Sequence, residues 1–153
     1  MIITNNIRKA IESKEHCFPI SENGVEGVPH DHVNRYNLLR DIMNNLALKS
    51  VLDLGCGSGY GSLILDDYIE YTGIELSEGA VEFANLNVKP YRCLSEFICG
   101  DMVQILPTIK PSEYEMISLV ESLDHLGIKG QTLLSLAIMK LKPKFVFISC
   151  LRR

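Results

Sequence analysis

The sequence predicts an α/β domain, a doubly wound and mostly parallel sheet with helices on both faces. The first observation is a short apolar run, Val51–Leu54, which leads straight into glycines at alternate positions. The second is the alternation of strand-like and helix-like segments along the rest of the chain. The third is a composition of 46% hydrophobic and 22% charged residues over 153 positions. Such a chain is long enough and apolar enough to form one domain with a core of its own.

The first thirty residues are predicted to be an extension, and residues 31–153 the domain itself. A short helix is predicted over 1–14, and the prolines and glycines of 17–30 predict a loop. Asp31 is predicted to cap the helix that follows. That helix has apolar residues at helical spacing, namely Val33, Tyr36, Leu39, Ile42, Met43 and Leu46.

The remaining elements follow in alternation. Gly61–Asp66 predicts the start of a helix, whose amino terminus would offer free N–H groups and a partial positive charge to an anion. Ser77 is expected to cap the next helix, and Pro90 to stop it. A last helix is predicted over 129–142. The strands are predicted at Val51–Leu54, Tyr71–Glu75, Glu96–Cys99, Tyr114–Val120 and Phe145–Ile148. The right-handed crossover rule, with a glycine loop after strand 1, predicts the order 3-2-1-4-5.

The spacing of the glycines indicates which class of ligand the loop can bind. The dinucleotide fingerprint G-x-G-x-x-G fails, because Tyr60 or Ser62 stands where the third glycine is needed. No Gly-Lys-Ser/Thr follows, so a Walker A loop fails too. The pattern present is D-x-G-x-G-x-G beginning at Asp53. It resembles motif I of the class I S-adenosylmethionine (SAM) dependent methyltransferases, in which the loop surrounds the methionine end of the cofactor. The resemblance covers about residues 30–150.

Acidic residues follow at the ends of the next two strands. Glu75 lies about 20 residues past the glycine loop, where an acid at a strand end binds ribose hydroxyls. A carboxylate can accept from both hydroxyls of a vicinal diol. The resemblance matches Glu75 to motif II, with Leu76 against adenine, and Asp101 to the motif III acid that accepts from the adenine amino group. Asp101 can cap the next turn as well. The resemblance thus implies a SAM site at Tyr36, Asp53, Gly55, Gly57, Gly59, Glu75, Leu76, Asp101, Met102 and Val120.

Strand 4 ends in Glu121-Ser122-Leu123-Asp124-His125, where members of the family meet the methyl acceptor. On a helical turn Glu121, Asp124 and His125 would share one face. A histidine paired with a carboxylate can act as a general base, whereas a Glu/Asp/His cluster can hold a divalent metal. His125 is the predicted base, with Glu121 or Asp124 orienting it. A capped loop packed on strand 4 is the purely structural alternative.

The string around His125 resembles the E-x-x-E-H segment of several branches of the family. One is the metal-dependent group that methylates the 2′-hydroxyl at RNA 3′ ends, and others are small-molecule O-methyltransferases. The RNA group needs a further histidine, and none follows His125 in this sequence, so no metal is expected. His32-x-x-Arg35-Tyr36 similarly resembles a segment that precedes motif I in one group. It predicts either a lid over the cofactor or a solvated helix start.

The composition indicates which binding partners and which cellular compartment to expect. A net charge of −4 argues against a nucleic-acid surface. No apolar run approaches the ~20 residues of a membrane helix, and the amino terminus lacks a secretory pattern. Five cysteines without a C-x-x-C pair predict free thiols and a cytoplasmic location.

The combined expectation is a SAM-dependent methyltransferase with an unidentified, small-molecule acceptor. The alternatives are a non-catalytic binder of SAM or S-adenosylhomocysteine (SAH) and an enzyme that cleaves SAM. An NAD-dependent oxidoreductase is disfavoured by the failed fingerprint. The sequence stops before the helix and hairpin that carry strands 6 and 7 in the family. Strand 5 is therefore expected to be a sheet edge that needs covering, for instance by a homodimer.

Overall fold

The computed structural model describes residues 20–21, 24–25 and 30–150 of the chain. Five strands form one sheet in the order 3-2-1-4-5, and every neighbouring pair is parallel. The strands are β1 Ser50–Leu54, β2 Glu70–Glu75, β3 Ser95–Cys99, β4 Met116–Val120 and β5 Phe145–Ser149. The predicted fold class and strand order are both confirmed.

Four α-helices accompany these strands in the described residues, together with short 3₁₀ turns. The α-helices are α1 His30–Asn45, α2 Glu78–Asn87, α3 Met102–Ile105 and α4 Ile128–Leu141. Ser77 caps α2 as predicted, because its hydroxyl accepts from the Ala80 N–H at 3.4 Å. The predicted cap at Asp31 is wrong: α1 already begins at His30, so Asp31 lies in its first turn.

The helix predicted from Gly61 to Asp66 is also wrong. The chain makes only a 3₁₀ turn at Tyr60–Leu63, and a Cβ on Gly61 would lie 2.2 Å from the Tyr36 ring. The turn therefore packs closely against α1. A single 3₁₀ turn has too few aligned peptides to carry the expected dipole. Anion binding at a helix amino terminus is accordingly not available at this position.

The central strands are buried on both faces, as expected in a parallel sheet covered by helices. Every residue of β1 and of β4 is buried. Val51 belongs to a core on the face of α1 and α2, whereas Leu52 and Leu54 belong to a core on the face of α3 and α4. Successive strand residues point to opposite faces, so one apolar run supplies both cores.

The outer strand β5 is much more exposed. Phe145, Val146 and Ile148 keep between 42% and 53% of their surface in solvent, and β5 forms one edge of the sheet. In α4 only Leu134 and Leu141 are buried, although the helical spacing also selects Leu133, Leu136 and Ala137.

The amino-terminal extension is described only in part. Residues 1–14, where a helix is predicted, lie outside the described residues. Within the predicted loop over 17–30, Ile20–Ser21 pairs antiparallel with Gly24–Val25. Within the part of the chain that the structure describes, no helix is long and apolar enough to cross a membrane.

Candidate functional site

The candidate site lies along the carboxyl ends of the strands. The order 3-2-1-4-5 makes β1 and β4 neighbours at the point where the winding of the sheet reverses. Ligands of open α/β sheets bind outside the strand ends at this reversal. The glycine loop follows β1, Glu75 ends β2, Asp101 follows β3 and Glu121 follows β4. The topology thus gathers the residues selected by the sequence at one edge.

The glycine loop has a backbone that only glycine adopts readily. Gly55, Gly57 and Gly59 have φ values of +82°, +56° and +76°. A Cβ on Gly55 would lie 2.5 Å from the Cβ of Ser122, the second residue after β4. The Gly55 N–H donates to the Ile74 carbonyl at 2.8 Å, so the loop is also tied to β2. The three glycines therefore let the loop turn tightly between the ends of β2 and β4.

Glu75 is fixed by backbone donors on either side. One carboxylate oxygen accepts from the Gly57 N–H at 3.1 Å, and the other accepts from the Ser77 N–H at 2.9 Å. Glu75 is half-buried, and the next side chain, Leu76, is 72% exposed. An ordered acid beside an open apolar side chain can receive the hydroxyls of a ribose and the face of its base.

Asp53 lies beneath the loop as a buried acceptor. It has no exposed surface, and it accepts from Tyr36 at 2.7 Å, Tyr71 at 2.5 Å and Ser118 at 2.7 Å. Burial raises the pKa of Asp53, while the hydrogen bonds from Tyr71, Ser118 and Tyr36 lower it in part. Tyr36 is itself only 2% exposed. Both side chains therefore support the loop from below, and their predicted contact with the cofactor stays a prediction.

Asp101 adopts one of its two predicted roles in this structure. Its carboxylate accepts from the Val103 N–H at 2.8 Å and so caps the short helix α3. The preceding Gly100 donates its N–H to the Glu75 carbonyl at 2.9 Å, which brings the ends of β2 and β3 together. Asp101 and Met102 are both half-exposed. The contact of Asp101 with adenine stays a prediction.

Glu121 lies at the end of β4 but does not turn toward His125. Its carboxylate pairs with the imidazole Nε2 of His32 and with the guanidinium of Arg35, both in the first part of α1. Its side chain is 8% exposed. The prediction that Glu121 orients His125 is therefore wrong, because the carboxylate is already committed to α1.

Asp124 and His125 lie in the 3₁₀ turn Leu123–His125, and both are exposed. Desolvation and the neighbouring Asp124 carboxylate raise the pKa of the Cys150 thiol. The predicted single face of Glu121, Asp124 and His125 does not form. The left-handed backbone of Glu121, with φ +55°, redirects its side chain before the turn begins.

The predicted cofactor contact at Val120 lies at the buried end of β4, where its side chain is 6% exposed. No group of three or more metal-ligating side chains occurs in the described residues.

The sequence interpretation missed the donors to Asp53. Ser118 lies directly opposite Asp53 in the register of β1 and β4, and Tyr71 is on the neighbouring strand β2. A buried acid in a strand needs partners, and polar residues of adjacent strands are the natural candidates. The available signal was therefore a serine in the middle of the apolar run Met116–Val120.

The residues present fit the cofactor that the resemblance implies. The hydroxyls of Ser58, in the loop, and Ser122, opposite it, are buried and have no hydrogen-bond partner among the described residues. Buried polar atoms without partners are costly unless a ligand or water satisfies them. Together with the fixed carboxylate of Glu75 they form a polar donor and acceptor set. Such a set suits the ribose and the zwitterionic methionine end of SAM.

The fold and this site define the class I SAM-dependent methyltransferases, in which a glycine loop follows strand 1 and an acid ends strand 2. Residues 51–144, more than half of the chain, match the family described as the methyltransferase domain. The chain belongs to that family.

Two sequence relatives extend the comparison. A ubiquinone biosynthesis O-methyltransferase of Nitrosomonas europaea is 30% identical over 130 residues, which cover 78% of this chain and 51% of that protein. An uncharacterized RNA methyltransferase of Clostridium tetani is 38% identical over 77 residues, or 49% of this chain and 17% of that one. The chain thus spans about half the length of the first relative and less of the second.

Solved structures agree in fold. The methyltransferase domain of bacterial CtHen1-CN superposes with a TM-score of 0.64 at 23% identity, over 76% of this chain and 65% of that chain. The bifunctional kinase-methyltransferase WbdD gives a TM-score of 0.68 at 16% identity, over 93% of this chain and 34% of that one. At such identities the likeness concerns the fold alone.

Proposed function

We propose that the chain transfers a methyl group from SAM to an oxygen atom of a small-molecule acceptor. The observation that carries the proposal is the Glu75 carboxylate, held by the Gly57 and Ser77 N–H groups beside the glycine loop. This arrangement presents an acid to a ribose and a polar loop to the methionine end of the same ligand. A Rossmann-like sheet binds its ligand at this edge.

The chain's own contribution is mainly positioning. When bound, SAM supplies an electrophilic methyl group on a sulfonium. Glu75 would hold the ribose hydroxyls, while Leu76 and Asp101 would bind the adenine. Met102 and Val120 would complete the pocket around the base and the end of β4. Holding two reactants in line removes much of the entropic barrier to displacement.

On the acceptor side, His125 is the proposed general base. A hydroxyl acceptor must lose its proton as its oxygen forms the new bond, and an imidazole is suited to take that proton near neutral pH. His125 is exposed at the carboxyl end of β4, where an acceptor can reach it. Asp124 is adjacent in the same turn and is the acid proposed to orient His125. Glu121 is left out of this role because it pairs with α1.

The acceptor class rests on two supports. The relative from Nitrosomonas europaea is named as an O-methyltransferase of ubiquinone biosynthesis, which favours a phenolic oxygen. The net charge of −4 argues against a broad nucleic-acid surface. The relative from Clostridium tetani is named as an RNA methyltransferase, so a short RNA belongs among the acceptors tested.

Substitution of His125 by alanine is expected to abolish measurable turnover while SAH binding persists. General-base catalysis contributes roughly 10²–10⁴-fold, and alanine cannot accept the proton. The assay follows transfer of a labelled methyl group from SAM to catechol, protocatechuate or an RNA oligonucleotide. SAH binding is measured by calorimetry on the same preparations.

The matched control is Lys129→Ala, an exposed residue at the start of α4. It should retain the turnover of the unaltered chain. Undiminished turnover in His125→Ala would remove His125 from the mechanism.

Product analysis distinguishes the two alternatives from methyl transfer. A chain that binds SAM tightly without consuming it is a non-catalytic binder. A chain that releases methylthioadenosine or homoserine without an acceptor cleaves the cofactor. A methylated acceptor formed together with SAH supports the proposed reaction.

We also propose that two copies pair through β5 and that the chain works in the cytoplasm. The described cysteines are all free thiols, which suits a reducing compartment.

Sedimentation velocity is expected to show a dimer that Ile148→Lys converts to a monomer, because the charge falls on an exposed apolar residue of the sheet edge. Equal sedimentation of both proteins as monomers would contradict the pairing.

A further inference from the structure

Four side chains from three parts of the fold form one connected cluster beside the glycine loop. His32 and Arg35 come from α1, Tyr60 follows the loop, and Glu121 follows β4. We propose that Glu121 is a positioning residue of the cofactor site. Through His32 and Arg35 it clamps the start of α1 to the end of β4, and through His32 it holds Tyr60 and the loop in the binding conformation. The inference rests on the proposed function, since it concerns the same site.

The contacts form a continuous chain. One oxygen of Glu121 pairs with His32 Nε2 and the other with Arg35, while His32 Nδ1 lies 3.1 Å from the Tyr60 hydroxyl. A carboxylate can only accept, so the imidazole carries a proton on Nε2. In the neutral ring Nδ1 is then an acceptor, and the Tyr60 hydroxyl donates to it. In the neutral ring the carboxylate of Glu121 therefore favours the tautomer whose Nδ1 accepts from Tyr60.

Glu121 is held in place by its backbone as well. Its φ of +55° is a conformation that a residue with a Cβ rarely adopts. Its N–H donates to the Ser149 carbonyl of β5 at 2.9 Å. Strained backbone that the surroundings enforce is concentrated at functional sites. The conformation turns the carboxylate toward α1, and the next residue, Ser122, packs against Gly55.

The clamp is separate from the attachment of α1 to the core. Tyr36 donates to Asp53 from below the loop, and its ring meets Tyr60 edge-on at 5.3 Å between centroids. This second attachment does not involve Glu121. Loss of the Glu121 charge should therefore release the first turn of α1 and the hydroxyl of Tyr60, while the rest of α1 stays docked. We therefore expect the loss of this charge to change the conformation of the loop and to have little effect on the stability of the whole fold.

The first experiment measures SAH binding by calorimetry in a double-mutant cycle on the full chain. Glu121→Gln and Tyr60→Phe are each expected to weaken SAH binding about fivefold or more. The double variant should bind no more weakly than the worse single variant, because both changes break one connection. Effects that multiply, or a Glu121→Gln variant that binds like the unaltered chain, would overturn the proposal.

The matched control is Glu115→Gln, at the opposite end of the same strand. Glu115 precedes β4 and pairs with Lys144 at 2.5 Å, so the control also removes one carboxylate from an ion pair. It should change the SAH dissociation constant by less than about twofold. An equal weakening in Glu115→Gln would mean a general loss of stability and would also overturn the proposal.

Hydrogen exchange of the cofactor-free chain provides a second readout that needs no ligand. Glu121→Gln is expected to speed amide exchange over 55–63 and in the first turn of α1, with β1 and β4 unchanged, and Glu115→Gln is not. Unchanged exchange over 55–63 would contradict the clamp. If the unaltered chain fails to bind SAH, the proposed function fails, and the exchange result still decides the clamp.

Discussion

Replacement of Glu75 by alanine is expected to weaken SAH binding at least tenfold, a loss of about 1.4 kcal/mol or more. The carboxylate is held by the Gly57 and Ser77 N–H groups, so it reaches the ligand without first losing side-chain entropy. A ribose diol donates two hydrogen bonds to such an acid, and charge-assisted bonds are the stronger kind. Alanine removes both acceptors, and the Gly57 N–H loses its partner as well.

Calorimetric titration of the purified chain with SAM, SAH and NAD measures this effect. Glu82→Ala provides the control, since Glu82 is an exposed acid in the middle of α2. It should bind SAH like the unaltered chain. NAD should not bind either protein, because the loop lacks the dinucleotide spacing.

Two results would each change the interpretation. If Glu75→Ala binds SAH as tightly as the unaltered chain, the ribose does not lie against Glu75, and the proposed orientation of the cofactor is wrong. If the unaltered chain binds NAD in preference to SAH, the site is a nicotinamide site in spite of its glycine spacing.

The fold was predictable because its signals are local. Each buried strand is a short apolar run, and the alternation with helical segments leaves few topologies once the crossover rule applies. Ser77 and Asp101 were recognisable as caps for the same reason, since a cap acts within a turn of its own position.

The failures of prediction occurred where tertiary contacts override local patterns. Gly61–Asp66 has a helix-like pattern, but the chain makes only a 3₁₀ turn at Tyr60–Leu63, where Gly61 packs closely against the Tyr36 ring. Glu121 is close to His125 in sequence, yet its left-handed backbone directs it to α1. Neither contact has a sequence signature, because each depends on a partner elsewhere in the chain.

The site residues also divide into those that the sequence spacing predicts and those that depend on tertiary contacts. Glu75 could be placed from its distance to the glycine loop, which the geometry of the strand-loop-helix unit constrains. The support that Asp53 and Tyr36 give to the loop could not be placed in this way, because the motif resemblance speaks only of cofactor contact and the packing of α1 is not visible in the sequence. The register of β1 with β4 explains why a serine occupies position 118, because it places Ser118 opposite Asp53.

Substitution of Asp53 by alanine is expected to lower the free energy of unfolding by about 3 kcal/mol or more. Three hydroxyls, those of Tyr36, Tyr71 and Ser118, would lose their common acceptor. A buried donor without a partner costs about 1–3 kcal/mol. The alanine variant no longer has to bury a carboxylate, and the desolvation cost that it avoids offsets part of that sum. Urea unfolding with linear extrapolation measures the change.

The control is Asp41→Ala, an acid that is 59% exposed and, among the described residues, pairs with its neighbour Arg40 alone. Exposed ion pairs contribute little, so this variant should stay within about 0.5 kcal/mol of the unaltered chain. A loss below about 1 kcal/mol in Asp53→Ala would mean that the three hydroxyls find other partners and that Asp53 is not the centre of this network.

The pH dependence separates the charge of Asp53 from its hydrogen bonds. Burial raises the pKa of Asp53 in the folded chain, so the folded state binds its proton more tightly than the unfolded state does. From the ordinary aspartate pKa of about 3.9 up to that raised value, the free energy of unfolding must therefore fall as the pH rises. Asp53→Asn has no such proton and should lack this component of the slope. If the asparagine variant keeps the full slope of the free energy of unfolding against pH, another group produces that slope. The pKa of Asp53 is then the same in the folded and the unfolded chain.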